Sequence, residues 1–288
     1  MIVERSRRIG IASVAVLLVG GWVACAKSKG VTSEDDRAFL PAEALYQRGV
    51  EKLAEDNLRR AKEDLERIQF TPENLQMLEP LVKLRLADVT FYRGDDLSLI
   101  DARTKYLDFV TLHGDHPLAP YSQFQAGICS LKQVGSTNED QSQTHTALAE
   151  FREVLRRYPA SSYASAAKGI ITEAEGYLAD HEFAVGQFYL KKKVYGAAAA
   201  RFRNIIDRYP GYADKEKVYF GLGKALVLGE KPVEGRLYLD RVVDDYPDGP
   251  YAKDAAKLLA RSESEELQKQ AKEAEAEPEA DAEPAPAG

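Results

Sequence analysis

Along most of the chain apolar residues recur every three to four positions, the spacing of one face of an α-helix, and the period-two alternation of strands is nearly absent. From Pro41 onward these segments come in pairs separated by polar turns. Three of them end alike: FREVLRRYP (Phe151 to Pro159), FRNIIDRYP (Phe202 to Pro210) and LDRVVDDYP (Leu239 to Pro247). Proline drives its predecessor out of the helical region, so each Tyr–Pro predicts a helix end. Successive prolines lie 51 and 37 residues apart. The shorter interval fits a helix–turn–helix unit of ~34 residues with a small insertion, and the longer fits one unit plus an extended helix.

The units share an internal register. Gly186, Ala198, Phe202 and Pro210 recur at the same offsets as Gly223, Gly235, Leu239 and Pro247, and Gly49, Ala61 and Leu65 repeat the first three. Small residues at those positions let two helices cross closely, and the larger one fills the groove between them. Ala102 and Tyr106 mark a second unit (Leu81 to Pro117). Ala147 and Phe151 mark a third (Tyr121 to Pro159), interrupted by the polar insertion VGSTNEDQSQTH. HPLAPYS, YPASSYA and YPDGPYA each place a tyrosine four residues after a proline, at the start of the next helix.

The predicted fold is all-α, a superhelical α-solenoid of about five degenerate TPR helix pairs over residues 41–261. Its N-terminal repeats cover 41–117 and its C-terminal repeats 118–261. Ser162 to Lys192 contains no proline and predicts one long helix or two nearly collinear ones. After Pro250 a last helix caps the array. Residues 262–288 then form an acidic Ala/Glu/Pro-rich tail, the end of a helix followed by disorder.

Charge sharpens this division. The net charge is −7, but nine acids and two bases fall between Ser262 and Gly288, leaving 37 of each sign before them. A neutral body argues against nucleic acid as a partner, since phosphate backbones demand a basic surplus. At the other end Arg5, Arg7 and Arg8 precede IGIASVAVLLVGGWVA, which stops at Cys25. A basic start, an apolar core and small residues describe a secretory signal. With WVAC at its end, it resembles a bacterial lipoprotein signal at 1–24, lipidated at Cys25, with Trp22 where leucine is usual. The alternative is an uncleaved signal-anchor, for which the run is slightly short of the ~20 residues of a span. Residues 25–40 read as a flexible linker. Ala26, rather than aspartate, after the cysteine implies the outer membrane, facing the periplasm. Cys129 is left without a disulfide partner and reads as a small buried helix residue.

Catalytic chemistry is thinly represented. No Gly-rich phosphate loop, HExxH or GxSxG occurs. His113, Asp115 and His116 in LHGDHP have a spacing a metal could use, but they sit at a helix end before proline, where polar residues are ordinary. Asp35–Asp36 and Asp95–Asp96 read as helix caps. The expectation is a non-enzyme with no cofactor and no metal. Arrays of this kind bind peptides on a concave face. The groove-facing register presents Tyr46, Val50 and Leu53 in the first unit and Leu84, Asp88 and Phe91 in the second, with Tyr92 nearby. Packing between repeats is the competing reading for each.

Taken with the signal and the repeats, THTALAEFREVLRRYPASSYASAA and LADHEFAVGQFYLKKKVYGAAAARFRNIIDRYP resemble the BamD family, TPR lipoproteins of the outer-membrane β-barrel assembly (BAM) machinery. The resemblance covers residues 25 to about 260. It implies docking on the POTRA domains of BamA, recruitment of unfolded outer-membrane proteins, and contact with other BAM lipoproteins. It also implies a BamA-binding role for Arg201, in GAAAARFRNII; by residue type alone Arg201 is a solvated helix arginine. A Tol–Pal-associated TPR protein is the alternative. It would carry a heptad coiled coil before the repeats, for which residues 26–40 are too short.

Overall fold

A computed structural model describes residues 40–136, 139–229 and 231–276. The signal, Cys25, the linker and the end of the acidic tail lie outside the described residues. Among the described residues there are eleven helices and no strand. They are α1 (Ala42–Ala54), α2 (Leu58–Glu66), α3 (Leu75–Arg93), α4 (Asp96–Leu112), α5 (Ala119–Leu131) and α6 (Ser142–Arg157), followed by α7 (Ser162–Lys191), α8 (Tyr195–Arg208), α9 (Lys215–Leu228), α10 (Pro232–Asp245) and α11 (Ala252–Ala276). The helices pair as five successive hairpins, α1–α2 through α9–α10, followed by α11. None of them is long and apolar enough to cross a membrane.

The register of small residues has the packing consequence expected of it. A Cβ at Gly49 would come 2.8 Å from Leu65, one at Gly186 2.7 Å from Phe202, and one at Gly223 2.7 Å from Leu239. Gly127, which the sequence register did not single out, stands in the same relation to Phe151 at 2.7 Å. Leu65, Phe151, Phe202 and Leu239 are all at most 1% exposed. In four of the five hairpins the groove-filling residue is therefore clamped by a glycine on the partner helix; Tyr106 in the second has none.

The Tyr–Pro endings share one backbone shape. Tyr158, Tyr209 and Tyr246 cap α6, α8 and α10 with φ, ψ of −131°, 51°, of −126°, 60° and of −134°, 53°. Each N–H closes a last turn on the carbonyl four residues back. At three hairpin turns the chain passes through a left-handed residue, and among the described residues only one of these is glycine. Gly94 has φ 76°, whereas Asp56 and Lys193 adopt φ 58° and 60°. Asn57 N donates to Lys52 O, and Val194 N to Tyr189 O, the six-to-one bond of a helix ending in a left-handed residue.

Two boundaries differ from expectation. α3 begins at Leu75 rather than Leu81 and carries Pro80 at its sixth position, where the ring supplies no N–H to the carbonyl four residues back. α6 begins at Ser142, so the insertion ends in helix, with Asp140 Oδ1 accepting from Ser142 N at 3.2 Å. The chain divides into two compact units between Ala174 and Glu175, inside α7. Across Pro117, Tyr121 and Ser122 of α5 bond back to Asp88 and to the Tyr106 carbonyl.

Candidate functional site

Unit 1 (residues 1–174) is organised around a buried ion pair. Asp88 on α3 is 1% exposed. It pairs with Arg85 one turn earlier and accepts hydrogen bonds from the Tyr106 and Tyr121 hydroxyls, both at 2.7 Å. Burial pushes the Asp88 carboxyl upward, and Arg85 and the two hydroxyls oppose that shift. Burial works against the Arg85 charge, yet the Asp88 carboxylate and then Tyr46 more than offset it, so its pKa is raised. Burial and the nearby Asp88 also hold the Tyr106 and Tyr121 hydroxyls well above the usual phenol value, keeping both as donors.

Half-buried tyrosines surround this centre. Tyr46, Tyr92, Tyr121 and Tyr163 all lie within electrostatic reach of the Arg85–Asp88 pair. Tyr121 packs edge-on to Tyr106 at 6.2 Å and to Tyr163 at 5.9 Å. Tyr92 packs against Phe91 at 5.4 Å. Gln125 Nε2 donates to the Tyr121 hydroxyl at 3.1 Å. Partly open aromatic rings around a compensated charge pair offer flat apolar surface with hydroxyls at its edge, which suits apolar side chains and backbone amides of an extended peptide.

Measured against this geometry, the seven groove residues separate. Tyr46 and Tyr92 stand at the centre's rim. Leu84, Asp88 and Phe91 are at most 4% exposed, which corrects their reading as groove-facing. Their stripe on α3 is turned toward α4 and α5, where Phe91 meets the Tyr106 ring at 6.4 Å. Leu53 and Tyr46 pack on the core of the first hairpin with Leu45, Ala61 and Leu65. Val50 is half-buried.

Arg85, Tyr121 and Tyr163 escaped the sequence reading of the site. The recurrent Tyr four residues after proline was the available signal. It marked helix starts, but did not reveal that Tyr121 and Tyr163 turn toward a buried carboxylate. In unit 2 the same echo, Tyr251, stacks on Phe220 at 5.0 Å, and its N–H donates to Glu216 at 2.8 Å.

Unit 2 (residues 175–288) holds Arg201. It lies on α8 beside the clamp residue Phe202 and is not a free solvated arginine. Its Nη1 reaches both oxygens of Glu182 on α7, at 3.3 and 3.2 Å, with the arginine side chain 41% and the glutamate 13% exposed. Nearby on α7, Asp180 accepts from the Tyr212 hydroxyl and from Lys217 Nζ. Lys217 also covers the Phe183 ring at 4.8 Å. Burial, then the hydrogen bond to Asp180, pushes the Tyr212 hydroxyl up to about 12.

The remaining sequence candidates resolve simply. Asp95 caps α4, accepting from Ser98 N at 2.9 Å. His113 faces Glu79 at 3.5 Å, and His116 Nδ1 accepts from Leu118 N at 3.1 Å. Among the described residues no three metal-ligating side chains converge. Cys129 is fully buried, and burial pushes its thiol up to about 12, as an unreactive core residue requires.

Comparison with known proteins adds the family. The family described as YfiO, outer membrane lipoprotein, matches residues 40–227. An outer membrane protein assembly factor BamD from Caulobacter vibrioides is 28% identical over 219 residues, 76% of this chain and 70% of its own. The protein of the same name from Rickettsia prowazekii is 26% identical over 246 residues, 85% of this chain and 95% of its own. In Xylella fastidiosa the figures are 28%, 72% and 74%. A solved chain, the MamA RS-1 ArsTM double mutant, is 16% identical with a TM-score of 0.24, over 67% of this chain and 97% of its own, and carries no argument. A family match across both compact units, on an all-helical repeat with the glycine clamp at four of its five hairpins, places this chain in the YfiO outer membrane lipoprotein family.

Proposed function

We propose that the chain is a non-enzymatic subunit of the outer-membrane β-barrel assembly machinery. In this reading unit 1 takes up segments of unfolded barrel proteins on the tyrosine rim around Arg85 and Asp88. Unit 2 docks on the POTRA domains of BamA through the surface around Arg201, and other lipoproteins of the machinery join the same complex. Cys25 carries the lipid that holds the protein on the periplasmic face of the outer membrane.

Family membership over residues 40–227 carries the reading, together with relatives named as assembly factors that align across most of their own length. The two sites support its division of labour. The aromatic rim provides contact area at low entropic cost, since each ring has two rotatable bonds. Arg201 is held in place by Glu182 while Nη2 and Nε stay outside that pair, so a partner carboxylate can be met by a pre-positioned fork.

The test is binding of a fluorescent peptide copied from a barrel-protein strand to the full-length protein in mild detergent. Tyr92→Ala with Tyr163→Ala weakens binding at least tenfold and leaves helicity unchanged. Unaltered affinity in the folded double variant removes unit 1 from substrate binding.

A further inference from the structure

The first hairpin carries a second feature, away from the tyrosine rim. Arg48 and Lys52 of α1, Arg60, Glu63 and Asp64 of α2, and Arg67 at its C-cap line one pocket of about 250 Å³. The lining residues follow helical spacing, i and i+4 on α1 and i, i+3, i+4, i+7 on α2, so two helix faces converge on one space. Six bases and seven acids occur between Pro41 and Arg67. Four of those bases and only two of those acids line the pocket. A hairpin without net positive charge has therefore sorted its cations to one side.

Both pocket acids are already compensated. Asp64, 7% exposed, receives a two-pronged bond from Arg48, Nε at 2.7 Å and Nη2 at 2.6 Å. Glu63 is paired at 2.8 Å with Arg59, which is not among the lining residues. Lys52 is bound to Glu55, also outside the lining, at an exposed edge where such a pair is weak. Arg60 comes from the exposed side of α2's first turn.

We propose that this pocket binds a phosphate group. Guanidinium forks match tetrahedral oxyanions bidentately, and an ammonium adds a point charge. With the Arg48 fork committed to Asp64, a ligand meets Arg60 and, in exchange for the exposed Glu55 pair, Lys52; a phosphate offers such a set three or more oxygens, a carboxylate two. The pocket's place in the chain points to the headgroup of an anionic phospholipid rather than dissolved phosphate. It opens on the first hairpin, and the 15 residues from Cys25 to Leu40 span at most about 50 Å. A lipid on Cys25 keeps the start of the first hairpin, which carries the pocket, within that distance of the headgroup layer. The lipid assignment rests on the anchoring proposed above; the phosphate site does not.

Two measurements on the full-length protein test it. In detergent, glycerol 3-phosphate is titrated against chloride at equal ionic strength, following amide exchange in α1 and α2. In vesicles, exchange in the same helices is compared between phosphatidylcholine alone and phosphatidylcholine with phosphatidylglycerol. Glycerol 3-phosphate and phosphatidylglycerol each slow exchange in α1 and α2. Lys52→Gln with Arg60→Gln, which leaves the Arg48–Asp64 bridge intact, weakens glycerol 3-phosphate roughly tenfold or more and abolishes the lipid effect. If the double variant loses helicity, Arg60→Gln alone serves, with a smaller loss of affinity. Protection by glycerol 3-phosphate without protection by phosphatidylglycerol overturns the lipid and keeps the site. No response to either, or the same response in the folded variant, overturns the site. Tighter binding of the acidic peptide EAEAEPEADAEP than of glycerol 3-phosphate overturns it in favour of a peptide. Release of Cys25→Ala from membranes checks the anchor separately, because the detergent titration does not depend on it.

Discussion

In unit 1 the central carboxylate, Asp88, is sealed from water and bonded by two tyrosines and an arginine drawn from three helices. In unit 2 the ion pair at the implicated arginine reaches the surface, with Arg201 41% exposed. Both units use the same hairpin and the same glycine clamp, so the contrast is not one of fold. A buried charge fixes the positions of everything bonded to it, because every misplacement leaves an uncompensated ion. That suits a rim of rings that must keep its shape. A half-exposed pair can exchange its partner at little cost, which suits a docking surface.

Removing the charges separates the two regions most strongly. Asp88→Ala strands Arg85 and the Tyr106 hydroxyl in the interior and lowers stability by about 3–5 kcal/mol. Glu182→Ala in unit 2 lowers it by less than about 1 kcal/mol. Urea unfolding followed by circular dichroism measures both, and equal losses would erase the distinction.

The next contrast lies within α7. A Cβ at Gly186 runs into Phe202, whereas one at Gly169 meets nothing within 4 Å. Gly186→Ala therefore costs about 1–3 kcal/mol through overpacking. Gly169→Ala gains up to about 1 kcal/mol from helix propensity. Thermal melts of the two variants should shift in opposite directions.

The smallest effect concerns Tyr212. Its folded-state pKa, raised to about 12 from 10, means the folded chain holds the phenol proton more tightly than the unfolded one. The resulting stability is complete below pH 10 and is lost as pH rises toward 12. Tyr212→Phe should remain folded and show a shallower loss of stability between pH 10 and 12. An identical slope in both proteins would assign that proton elsewhere.

The sequence made the repeat legible because each hairpin needs the same short list of residues. Gly186, Ala198 and Phe202 occupy positions where geometry leaves little choice, and the Tyr–Pro endings stop helices by sterics that act within two residues. Hairpin boundaries were harder to read where a local rule admits exceptions. The second unit was expected from Leu81, just after Pro80, which lies inside α3, and the turns use Asp56 and Lys193 where glycine would have been the visible sign. The site was legible only at its edges. The groove register named Tyr46, with Tyr92 nearby, but that register assumes an open face. Which stripe of α3 is covered depends on α4 and α5, brought against it by contacts such as Tyr121 to Asp88 across 33 positions. Glu182, the partner of Arg201, lies 19 residues away on another helix, and no local pattern joins the two.

The division of labour is tested most directly by copurification from membranes, with the protein carried at its natural level and the POTRA-containing barrel protein quantified. Arg201→Glu should reduce its recovery severalfold while helicity and melting temperature stay close to those of the parent. Tyr92→Ala with Tyr163→Ala should leave recovery intact. Full recovery with folded Arg201→Glu, or loss with the folded tyrosine variant, would contradict the assignment of docking to unit 2 and capture to unit 1.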